Sequence, residues 1–480
     1  MDHAVSVETL RRSSDWSAYR FGVVGLGVAG FACADALSQV GAQTWAIDAS
    51  TDQSVTEKAT LLEMLDVHVQ TGAAAALPTE LDVLVVSPGL RPSHPIITDA
   101  QARGIVVWGE LELAWRLRDE QRNVPWLAVT GTNGKTTTTL MLESILRADG
   151  RHAVAAGNIG NSVVHTVMDP DGPDVIALEV GAPQMPFTSS MSPYASVCLN
   201  IAEDHVDHFG SFDAYVQTKG RTYQNTQVAA VYNVQDPATE RLVEQADVVE
   251  GCRAIGFTLG TPGLSMLGVV EDVLVDRAFI DNRASHAQEL ATFDDIHPFA
   301  AHNVANALAA AALARAYGVQ PSAVRDGLRT FEPAGHRIAP AGEINGVRFI
   351  DDSKATNTHA AETSLASYEH VVWIAGGQAK GQSFDGLVGT MAKRMRAAIL
   401  LGEDRHIIRD AFARLAPHVP VVEIADSTPD ALDDVVRESL RFAQSGDVVL
   451  LAPGCASWDM FRNYGHRGDR FVEAVRKIGG

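Results

Sequence analysis

The stretch Val129-Thr130-Gly131-Thr132-Asn133-Gly134-Lys135-Thr136-Thr137 decides the fold, because it predicts a strand, a glycine loop and a helix in that order. Glycines let backbone N–H groups face an anion, and the N-terminus of the helix adds positive potential. Lys135 would reach the outer phosphates of a nucleotide, and the Thr136 hydroxyl would hold Mg²⁺. Val129 stands at the first glycine of the GxxxxGK[ST] pattern, so this central glycine loop (residues 131–137) is a shorter variant. We predict phosphate binding here; the alternative is a structural turn.

A similar pattern lies nearer the N-terminus. Gly25-Leu26-Gly27-Val28-Ala29-Gly30, the N-terminal glycine loop, follows a predicted strand and opens a helix. Asp48 follows the next strand, at the position of the acid that binds a ribose hydroxyl in dinucleotide sites. Alone, this pattern indicates a dehydrogenase. A phosphate loop in the next domain argues against hydride transfer and favours a nucleotide-linked substrate at the N-terminal glycine loop.

Short runs of Val, Ile and Leu alternate with helical patterns along the chain, which is typical of α/β proteins with largely parallel sheets. The predicted strands are 21–24, 44–47, 83–86, 105–107, 126–129, 175–178, 196–200, 228–232, 348–350, 371–374, 397–400 and 448–451. Two breaks interrupt the alternation, a charged stretch at 116–123 and a turn-rich stretch at 331–335. We therefore predict three domains, at 1–118, 119–332 and 333–480.

The composition excludes several classes of protein. The 480 residues include 38 Lys and Arg against 59 Asp and Glu, and this net charge of −21 argues against general nucleic-acid binding. The 4 cysteines are far apart, which predicts a reducing compartment without disulfides or a zinc cluster. No run approaches the roughly 20 apolar residues of a membrane helix, and residues 1–19 lack a signal core. We expect a cytoplasmic protein without membrane insertion.

Polar residues follow two further predicted strands. Glu179 ends one of them, and Asn200-Ile201-Ala202-Glu203-Asp204-His205 follows the other. Because the carboxyl ends of parallel strands line the ligand crevice of such sheets, both sets would face the central glycine loop. Their oxygen atoms are of the kind that Mg²⁺ accepts. The alternative for each residue is a charge on a solvated loop.

An alanine-rich stretch at 300–317 predicts a helix whose His302 and Asn306 share one face near its start, with Asn303 beside them. Two interpretations are open. These side chains cap the N-terminus of the helix, or they contact a ligand.

These stretches together resemble the ATP-dependent Mur ligases in sequence and in order. The resemblance includes the central glycine loop, Glu179, 199–208 and 302–307. It extends to 87–89, 157–160, 352–357, 376–381 and 455–461, which are similar to the members that use D-glutamate. It covers about 21–471. It implies a Rossmann-like N-terminal domain, a central P-loop ATPase-type domain with a mostly parallel sheet, and a Rossmann-like C-terminal domain.

The resemblance also implies an activity. It implies a ligase that uses ATP and Mg²⁺ to join D-glutamate to UDP-N-acetylmuramoyl-L-alanine, and we expect it to be a monomer. The γ-phosphoryl group of ATP would move onto the substrate carboxylate, and the amine of the amino acid would then attack the acyl phosphate.

The resemblance implies roles for individual residues. Catalytic roles fall on Lys135, His205 and Lys219. The Mg²⁺ ligands are Thr136, Glu179, His205 and Lys219, the last as a carbamate formed with CO₂. ATP would contact Gly131, Thr132, Asn133, Gly134, Lys135, Thr136, Thr137, Asn303, Asn306, Arg337, Asp352 and Lys354. The sugar nucleotide would contact Gly25, Gly27, Val28, Ala29, Gly30, Asp48, Gly89, Asn158 and Gln184, and D-glutamate would contact Thr356, Lys380, Ser457 and Phe461. The alternative for Lys219 and Lys380 is an ordinary surface lysine.

Two departures from the family pattern fall on the sugar-nucleotide side. The common Glu-x-Ser-Ser-Phe-Gln is here Glu179-Val180-Gly181-Ala182-Pro183-Gln184, which lacks the serine that helps to bind the phosphates of the sugar nucleotide. Ala49-Ser50 stand where the family often has Thr-Arg.

Three alternative functions stay open. A sister ligase for another amino acid or a folate tail shares the ATP residues, but residues 352–357 with Lys380 and Ser457 argue against it. An NAD-dependent oxidoreductase leaves the central glycine loop without a role. A catalytically silent relative would explain the change at Gly181, and it predicts nucleotide binding without turnover.

Overall fold

A computed structural model describes residues 6–73, 75–204, 206–333 and 335–480. The chain forms two compact units. The first comprises Met1–Ile201 and His208–Glu332, and the second comprises Ala202–Asp207 and Pro333–Gly480. Within the described ranges, no helix has both the length and the apolar character needed to cross a membrane.

The first unit begins with a parallel sheet. Its elements in chain order are β1 (Arg20–Val24), α1 (Val28–Gln39), β2 (Gln43–Asp48), α2 (Gln53–Glu63), β3 (His68–Thr71), β4 (Val83–Val86), α3 (Pro95–Ala102), β5 (Val106–Gly109) and α4 (Glu110–Leu117). The strand order is β3-β2-β1-β4-β5, and every neighbouring pair is parallel. This is the Rossmann-like arrangement that the sequence predicts.

The same unit continues with a nine-stranded sheet. Its elements are β6 (Trp126–Thr130), α5 (Lys135–Ala148), β7 (Ala153–Gly157), α6 (Val163–Met168), β8 (Val175–Glu179), β9 (Ala195–Cys198), α7 (Val206–Phe209), α8 (Phe212–Gly220), β10 (Ala229–Asn233), α9 (Pro237–Glu244), β11 (Arg253–Phe257), β12 (Met266–Val270), β13 (Val273–Asp276), β14 (Gln288–Thr292), α10 (Ala301–Ala316) and α11 (Pro321–Thr330). The first two residues of α7 belong to the second unit. The strand order is β14-β13-β12-β11-β10-β9-β6-β8-β7. Only the pairs β12–β13 and β13–β14 are antiparallel among those described.

The second unit is a six-stranded sheet with helices between its strands. Its elements are β15 (Ala339–Ile344), β16 (Val347–Asp351), α12 (Thr358–Ala366), β17 (Val371–Gly376), α13 (Asp385–Met391), β18 (Met395–Leu401), α14 (Arg405–Leu415), β19 (Val421–Glu423), α15 (Ala431–Phe442), β20 (Val448–Leu451) and α16 (Tyr464–Gly479). The strand order is β15-β16-β20-β17-β18-β19, parallel except for the β15–β16 pair.

All of the predicted strands are present, and the predicted α/β class with parallel sheets is confirmed. The strands that the prediction missed are β3, β7, β11, β12, β13, β14, β15 and β19. Five of these are the edge strands of their sheets, and another two lie in the antiparallel extension. An edge strand such as β3 or β19 has few buried side chains, so it lacks the apolar run on which the prediction relied.

The two sheets of the first unit share one hydrophobic core. The ring of Trp115 in α4 meets that of Trp126 in β6 edge to face, with 5.0 Å between their centroids. Leu111 and Leu113 of α4 belong to the same buried cluster as Leu178 of β8. The Rossmann-like region and the region around the central glycine loop therefore pack as one body.

A buried carboxylate adds polar contacts to this shared core. Glu112 is fully buried and accepts hydrogen bonds from the backbone N–H groups of Ser189 and Ser190 (2.8 and 2.9 Å). It also accepts one from Nε of Arg116 at 2.8 Å. Burial alone would raise the pKa of Glu112, but these donors hold it below its ordinary value. Arg116, the first residue of the charged stretch noted in the sequence, is therefore buried at the end of α4.

Candidate functional site

The central glycine loop follows β6 and opens α5, as the sequence predicts. Gly134 precedes the helix with φ +83°, a conformation that side chains rarely adopt. A Cβ atom there would lie 2.4 Å from Oδ1 of Asn306. A Cβ on Gly131 would lie 2.9 Å from Cβ of Leu199. Both glycines are therefore required by backbone geometry and by close packing.

Asn200, directly after β9, holds this loop in shape. Its carbonyl oxygen accepts the N–H of Thr132, and its side-chain oxygen accepts the N–H of Asn133, both at 2.9 Å. Its Nδ2 donates to the carbonyl oxygen of Asn133 at 3.1 Å. Two loop N–H groups are thus engaged in hydrogen bonds within the protein. The sequence placed Asn200 near the loop without this role.

Two lysines converge on the carbonyl groups of the loop. Nζ of Lys135 donates to the carbonyl oxygens of Gly131 (2.9 Å) and Thr132 (2.8 Å). Nζ of Lys219, which comes from α8, donates to the same Gly131 oxygen at 2.8 Å. Lys219 is 1% exposed, so the alternative that it is a surface lysine is wrong.

Tyr215 lies one helical turn before Lys219 and also contacts the loop. Its hydroxyl lies 2.9 Å from Oγ1 of Thr132. Nζ of Lys219 lies 4.8 Å from the centre of its ring, which is a cation–π distance. Tyr215 was not among the residues predicted from the sequence. Its spacing of four residues from Lys219 on one helix face was the available signal.

Glu179 ends β8, in register with Val129 of β6. Its side chain is 1% exposed, and Oε1 accepts a hydrogen bond from Nδ2 of Asn158 at 3.0 Å. Oε2 is buried and has no hydrogen-bond partner among the described residues. A buried carboxylate oxygen of this kind fits a cation ligand, because burying it without any partner is costly.

The remaining predicted metal ligands differ in how far the structure describes them. Thr136 is buried in the first turn of α5. His205 lies outside the described residues. Within the part of the chain that is described, no group of three or more His, Cys, Asp or Glu side chains is arranged to hold a metal ion.

The asparagines of α10 lie beside the central glycine loop. Asn303 and Asn306 are 5% and 6% exposed. Nδ2 of Asn303 donates to the carbonyl oxygen of Pro298 at 2.8 Å, and Nδ2 of Asn306 donates to Oδ1 of Asn303 at 3.4 Å. The N-cap residue of α10 is Ala300, and among the described residues no side-chain hydrogen bond caps the helix there. The capping interpretation of these asparagines is therefore wrong.

The N-terminal glycine loop joins β1 to α1. Gly25 has φ +89°, and a Cβ on Gly30 would lie 1.7 Å from the carbonyl oxygen of Gly25. Asp48 accepts the N–H of Leu26 at 2.6 Å and that of Ser50 at 2.8 Å. Both oxygens of the Asp48 carboxylate are thus engaged in the turn, which argues against the ribose contact expected in a dehydrogenase.

The outer surface of this loop is open. Val28 is 67% exposed, and Gly27 and Gly89 are exposed, with no described atom within 4 Å of where a Cβ would stand on either. Ala29 is half-buried. Nζ of Lys58 donates to the carbonyl oxygen of Leu26 at 3.0 Å. The backbone of the loop is therefore exposed, while hydrogen bonds of Leu26 to Asp48 and Lys58 hold the shape of the turn.

Gln184 is buried next to α4. Its Oε1 accepts the N–H of Gly181 at 2.8 Å, and its Nε2 donates to Oε2 of Glu110 at 3.3 Å. Ser162 donates to the other oxygen of Glu110 at 2.8 Å, and burial raises the pKa of Glu110. Gln184 thus shapes the turn at 181–184, and a Cβ on Gly181 would lie 3.2 Å from the side chain of Asn158. Because Gly181 stands where the family pattern has a serine, the side chain of Asn158 can occupy this space.

The second unit carries the other predicted nucleotide residues. Asp352 follows β16, is 7% exposed and accepts a hydrogen bond from the Ser364 hydroxyl. Burial raises its pKa to about 6, although Ser364 and Arg337 oppose this shift. Nζ of Lys354 lies 3.8 Å from the centre of the Tyr464 ring. Arg337, Asp352 and Lys354 therefore occupy one part of this unit.

Lys380, Ser457 and Phe461, three of the four predicted D-glutamate residues, lie on two loops that a β-bridge holds together. Gln378 and Ala456 exchange backbone hydrogen bonds of 3.0 and 2.9 Å. Two residues beyond the bridge on each loop, Nζ of Lys380 lies 5.9 Å from the ring centre of Trp458. Trp458 is 71% exposed and was missed by the sequence analysis.

The three other residues predicted for D-glutamate differ in exposure. Ser457 and Phe461 are buried, and Thr356 is half-buried. Phe461 packs in the hydrophobic core on one side of the sheet of the second unit, with Met460 and Phe471. Phe461 therefore anchors the 455–461 loop to the hydrophobic core.

Models of three domain families match the chain. "Mur ligase MurD-like, N-terminal domain" matches residues 19–109, "Mur ligase middle domain" matches 129–314, and "Mur ligase, glutamate ligase domain" matches 336–455. The matches follow one another in chain order, and each corresponds to one of the three sheets.

Curated relatives match over nearly the whole chain. A UDP-N-acetylmuramoylalanine--D-glutamate ligase of Streptomyces avermitilis is 53% identical over 466 residues, which cover 97% of this chain and 100% of the relative. The protein of the same name from Thermobifida fusca is 47% identical over 460 residues, 95% of this chain and 98% of that one.

Solved structures are similar in fold. A UDP-N-acetylmuramate-alanine ligase, MurC, from Thermotoga maritima has a TM-score of 0.60 at 19% identity and covers 96% of this chain and 100% of that one. A MurF ligase from the same organism, in complex with ADP, has a TM-score of 0.54 at 14% identity, with 97% and 98% covered. At these identities the likeness concerns the fold alone.

Proposed function

The chain belongs to the Mur ligase family, and from this premise we propose that it is an ATP-dependent ligase that joins D-glutamate to UDP-N-acetylmuramoylalanine in peptidoglycan precursor synthesis. The observation that carries the proposal is the convergence of Lys135 and Lys219 on the carbonyl oxygen of Gly131, in a unit that also buries a carboxylate oxygen without a partner among the described residues. The Lys135 ammonium group at the N-terminus of α5 suits a polyphosphate, and the buried carboxylate suits the cation that accompanies it.

In this proposal Lys135 exchanges its present carbonyl acceptors for phosphate oxygens. Its ammonium group already lies over the loop, held by Gly131 and Thr132, so a short movement of the side chain brings it to a nucleotide. The central glycine loop, Asn303 and Asn306 would contact ATP from the first unit. We assign Arg337, Asp352 and Lys354 to the nucleotide as well.

The residues present fit a magnesium ion. Thr136, Glu179, His205 and Lys219 would hold it, with Lys219 converted to a carbamate by CO₂. An ammonium group would repel a cation at this buried position, whereas the neutral amine of Lys219 can add CO₂ and release a proton, giving an oxygen anion that a hard cation accepts. The ion would neutralise charge on the phosphates during transfer. Asn158 would orient Glu179 through its hydrogen bond to Oε1.

The reaction would proceed in two transfers. The carboxylate of the UDP-linked substrate attacks the γ-phosphorus of ATP, giving an acyl phosphate and ADP, while Lys135 and N–H groups stabilise the charge on the phosphoryl oxygens. The amine of D-glutamate then attacks the acyl carbon. The amide forms, phosphate leaves, and the amine loses its proton.

Separate regions would bind the two substrates that become joined. The exposed N-terminal glycine loop, with Gly89 and Asn158, would bind the sugar nucleotide, and Asp48 and Gln184 would shape that surface from within. Thr356, Lys380, Ser457 and Phe461 would form the D-glutamate site, in which the ammonium group of Lys380 meets a carboxylate. We also propose a cytoplasmic monomer with domains at 1–118, 119–332 and 333–480.

One assay tests the proposal. Phosphate release from ATP is measured with UDP-N-acetylmuramoyl-L-alanine and either D-glutamate, L-glutamate or another amino acid. We expect release that depends on D-glutamate. Release with a different amino acid, or nucleotide binding without any release, would contradict the proposed function.

A variant of Lys380 tests the amino-acid site. Lys380→Ala should raise the KM for D-glutamate roughly tenfold or more, because a charge-assisted hydrogen bond is lost, and should leave the KM for ATP close to normal. Lys393→Ala, which removes an exposed lysine of the same unit, is the matched control. Equal losses for ATP and D-glutamate would show that Lys380 has another role.

A further inference from the structure

Arg467 of α16 is a buried arginine that no part of the proposed reaction uses. It is 1% exposed. Its Nε donates to Oγ of Ser353 at 2.9 Å, and a terminal nitrogen donates to the carbonyl oxygen of Ser353 at 2.8 Å. The other terminal nitrogen donates to the carbonyl oxygen of Cys455 at 3.2 Å. One planar guanidinium group therefore joins two loops that are far apart in sequence.

The first of these loops lies on the nucleotide side. Ser353 stands between Asp352 and Lys354, both of which we assign to ATP. Two further hydrogen bonds fix Ser353, from its N–H to Oδ1 of Asp351 (2.9 Å) and from its hydroxyl to the carbonyl oxygen of Tyr464 (2.7 Å). Arg467 thus acts on a residue whose two neighbours would touch the nucleotide.

The second loop lies on the amino-acid side. Cys455 immediately precedes Ala456, which pairs with Gln378, and Ser457 follows. The position of Cys455 therefore influences the bridge that places Lys380. A hydrogen bond to its carbonyl oxygen restrains the backbone of the amino-acid side at that point.

The next two residues of α16 support the nucleotide side again. A Cβ on Gly468 would lie 2.1 Å from Nδ1 of His336, so only glycine allows this approach. Nδ1 of His336 lies 2.6 Å from Oδ2 of Asp351, and its Nε2 lies 3.5 Å from Oδ1 of Asp469. His336 directly precedes Arg337. Three consecutive residues of one helix thus contact the segments that carry Arg337 and Lys354.

A purely structural role explains this arrangement poorly. Burial lowers the pKa of Arg467 to about 10, which shows that the protein destabilises the charge it encloses. Its side-chain hydrogen bonds among those described run to oxygen atoms of Ser353 and Cys455, none of them a carboxylate. Apolar side chains of similar volume often serve a core equally well. The fork of three donors matters where two backbones must be held at a fixed separation.

We infer that Arg467 is a positioning residue that couples the nucleotide loop (residues 352–354) to the amino-acid loop (residues 455–457). The inference rests on the proposed function. Ordering of residues 352–354 by ATP would be transmitted through the guanidinium group to the Cys455 carbonyl, and from there to Ser457 and Lys380. ATP and D-glutamate would then each bind better in the presence of the other.

The test is steady-state kinetics on the full-length enzyme with all three substrates. In Arg467→Lys, a single ammonium group cannot reach both loops, so we expect the KM for ATP and the KM for D-glutamate to rise together, each roughly tenfold. The KM for the UDP-linked substrate should stay within about twofold. Arg470→Gln, which changes a half-buried arginine one turn further along α16 that pairs with Asp430 and Glu473 and not with either loop, is the matched control and should behave as the parent.

Two further measurements keep the test decisive if Arg467→Lys folds poorly. Ser353→Ala removes one acceptor of the guanidinium group and should raise the same two KM values about threefold. The affinity for D-glutamate, measured with and without a non-hydrolysable ATP analogue, should depend on the analogue in the parent and lose that dependence in both variants.

Some results would overturn the inference about Arg467, and others would contradict the proposed function. Variants that only lower Tm, or that raise one KM without the other, would overturn the coupling role of Arg467. A parent enzyme that releases no phosphate with D-glutamate would instead contradict the proposed function. If, in addition, the affinity of the parent enzyme for D-glutamate does not change with the ATP analogue, that result contradicts the coupling independently of the proposed function.

Discussion

The two glycine loops of the first unit have similar backbones but differ in the charged side chains that contact them. Each follows a buried strand, bends at a glycine of positive φ and opens a helix. The central loop has two ammonium groups on its carbonyl oxygens, from Lys135 and Lys219. The N-terminal loop has the Asp48 carboxylate on one of its N–H groups.

This difference shows that the strand–glycine–helix pattern alone does not define a phosphate site. A carboxylate on a loop N–H group repels an anion at that position, whereas ammonium groups beside a helix N-terminus attract one. The central loop is therefore suited to ATP. The N-terminal loop is suited to a ligand held by exposed backbone and by residues farther away. Four comparisons test the contrast.

The largest expected effect is at Lys219. Lys219→Ala should lower kcat about 10³-fold, because the proposed carbamate ligand of the cation is lost. Added acetate should restore part of the activity by occupying the vacated position. Lys219→Arg keeps a positive charge but cannot form a carbamate, so it should remain inactive with or without acetate. An Arg variant as active as the parent would leave Lys219 a simple electrostatic role.

The next largest effect compares one lysine from each loop. Lys135→Ala should lower kcat roughly 10²-fold, since the cation facing the transferred phosphoryl group is removed. Lys58→Ala, which removes the lysine on the Leu26 carbonyl, should change kcat by no more than about twofold at saturating substrate. Phosphate-release assays on both folded variants measure the two losses in kcat. Similar losses would remove the distinction between the loops.

A third comparison concerns the glycines themselves. Gly134→Ala should lower the free energy of unfolding by about 2 kcal/mol, because its φ of +83° is unfavourable for alanine and its Cβ meets Asn306. Gly27→Ala should be close to neutral, since no described atom lies within 4 Å of the added one. Urea denaturation monitored by tryptophan fluorescence measures both. Equal stabilities would indicate that the central loop rearranges without cost.

The smallest effect is expected at Asp48. Asp48→Ala frees the N–H of Leu26 and loosens the N-terminal loop, so the affinity for the UDP-linked substrate should fall roughly tenfold while that for ATP is unchanged. Isothermal titration with each ligand makes the comparison. Asp99→Ala, which removes a surface carboxylate of the same sheet region, should leave both affinities as they are. A gain in substrate affinity at Asp48→Ala would mean that the carboxylate merely repels the phosphates.

The sequence predicted well what local patterns encode. Strands such as β4 and β20 are fully buried runs of Val and Leu, and their apolar character is unmistakable. Both glycine loops were found because their spacing is a local property. The contact of Lys219 with Gly131 joins residues 88 apart, and nothing in the neighbourhood of either indicates it without the family resemblance.

Roles that depend on long-range hydrogen bonds were harder to predict. A lone arginine in an amphipathic helix is usually solvated, so Arg467 gave no signal. The hydrogen bonds of the Gln184 amide to Gly181 and Glu110 were likewise not indicated by the sequence, and its predicted contact with the sugar nucleotide stays a prediction. In each case the deciding information is which backbone group lies opposite the side chain, and only the folded chain supplies it.

The shared core of the first unit has a consequence for how the protein melts. Because Trp115 and Trp126 pack edge to face across the two sheets, neither sheet can lose its structure without exposing the other's apolar surface. Heating should therefore unfold the five-stranded and nine-stranded sheets in a single cooperative transition. A fragment cut at residue 118 would retain the N-terminal glycine loop but leave the indole of Trp115 and its neighbours in water, so it should aggregate rather than fold. The proposed sites for the sugar nucleotide and for ATP thus lie in separate sheets that nevertheless unfold as one cooperative unit.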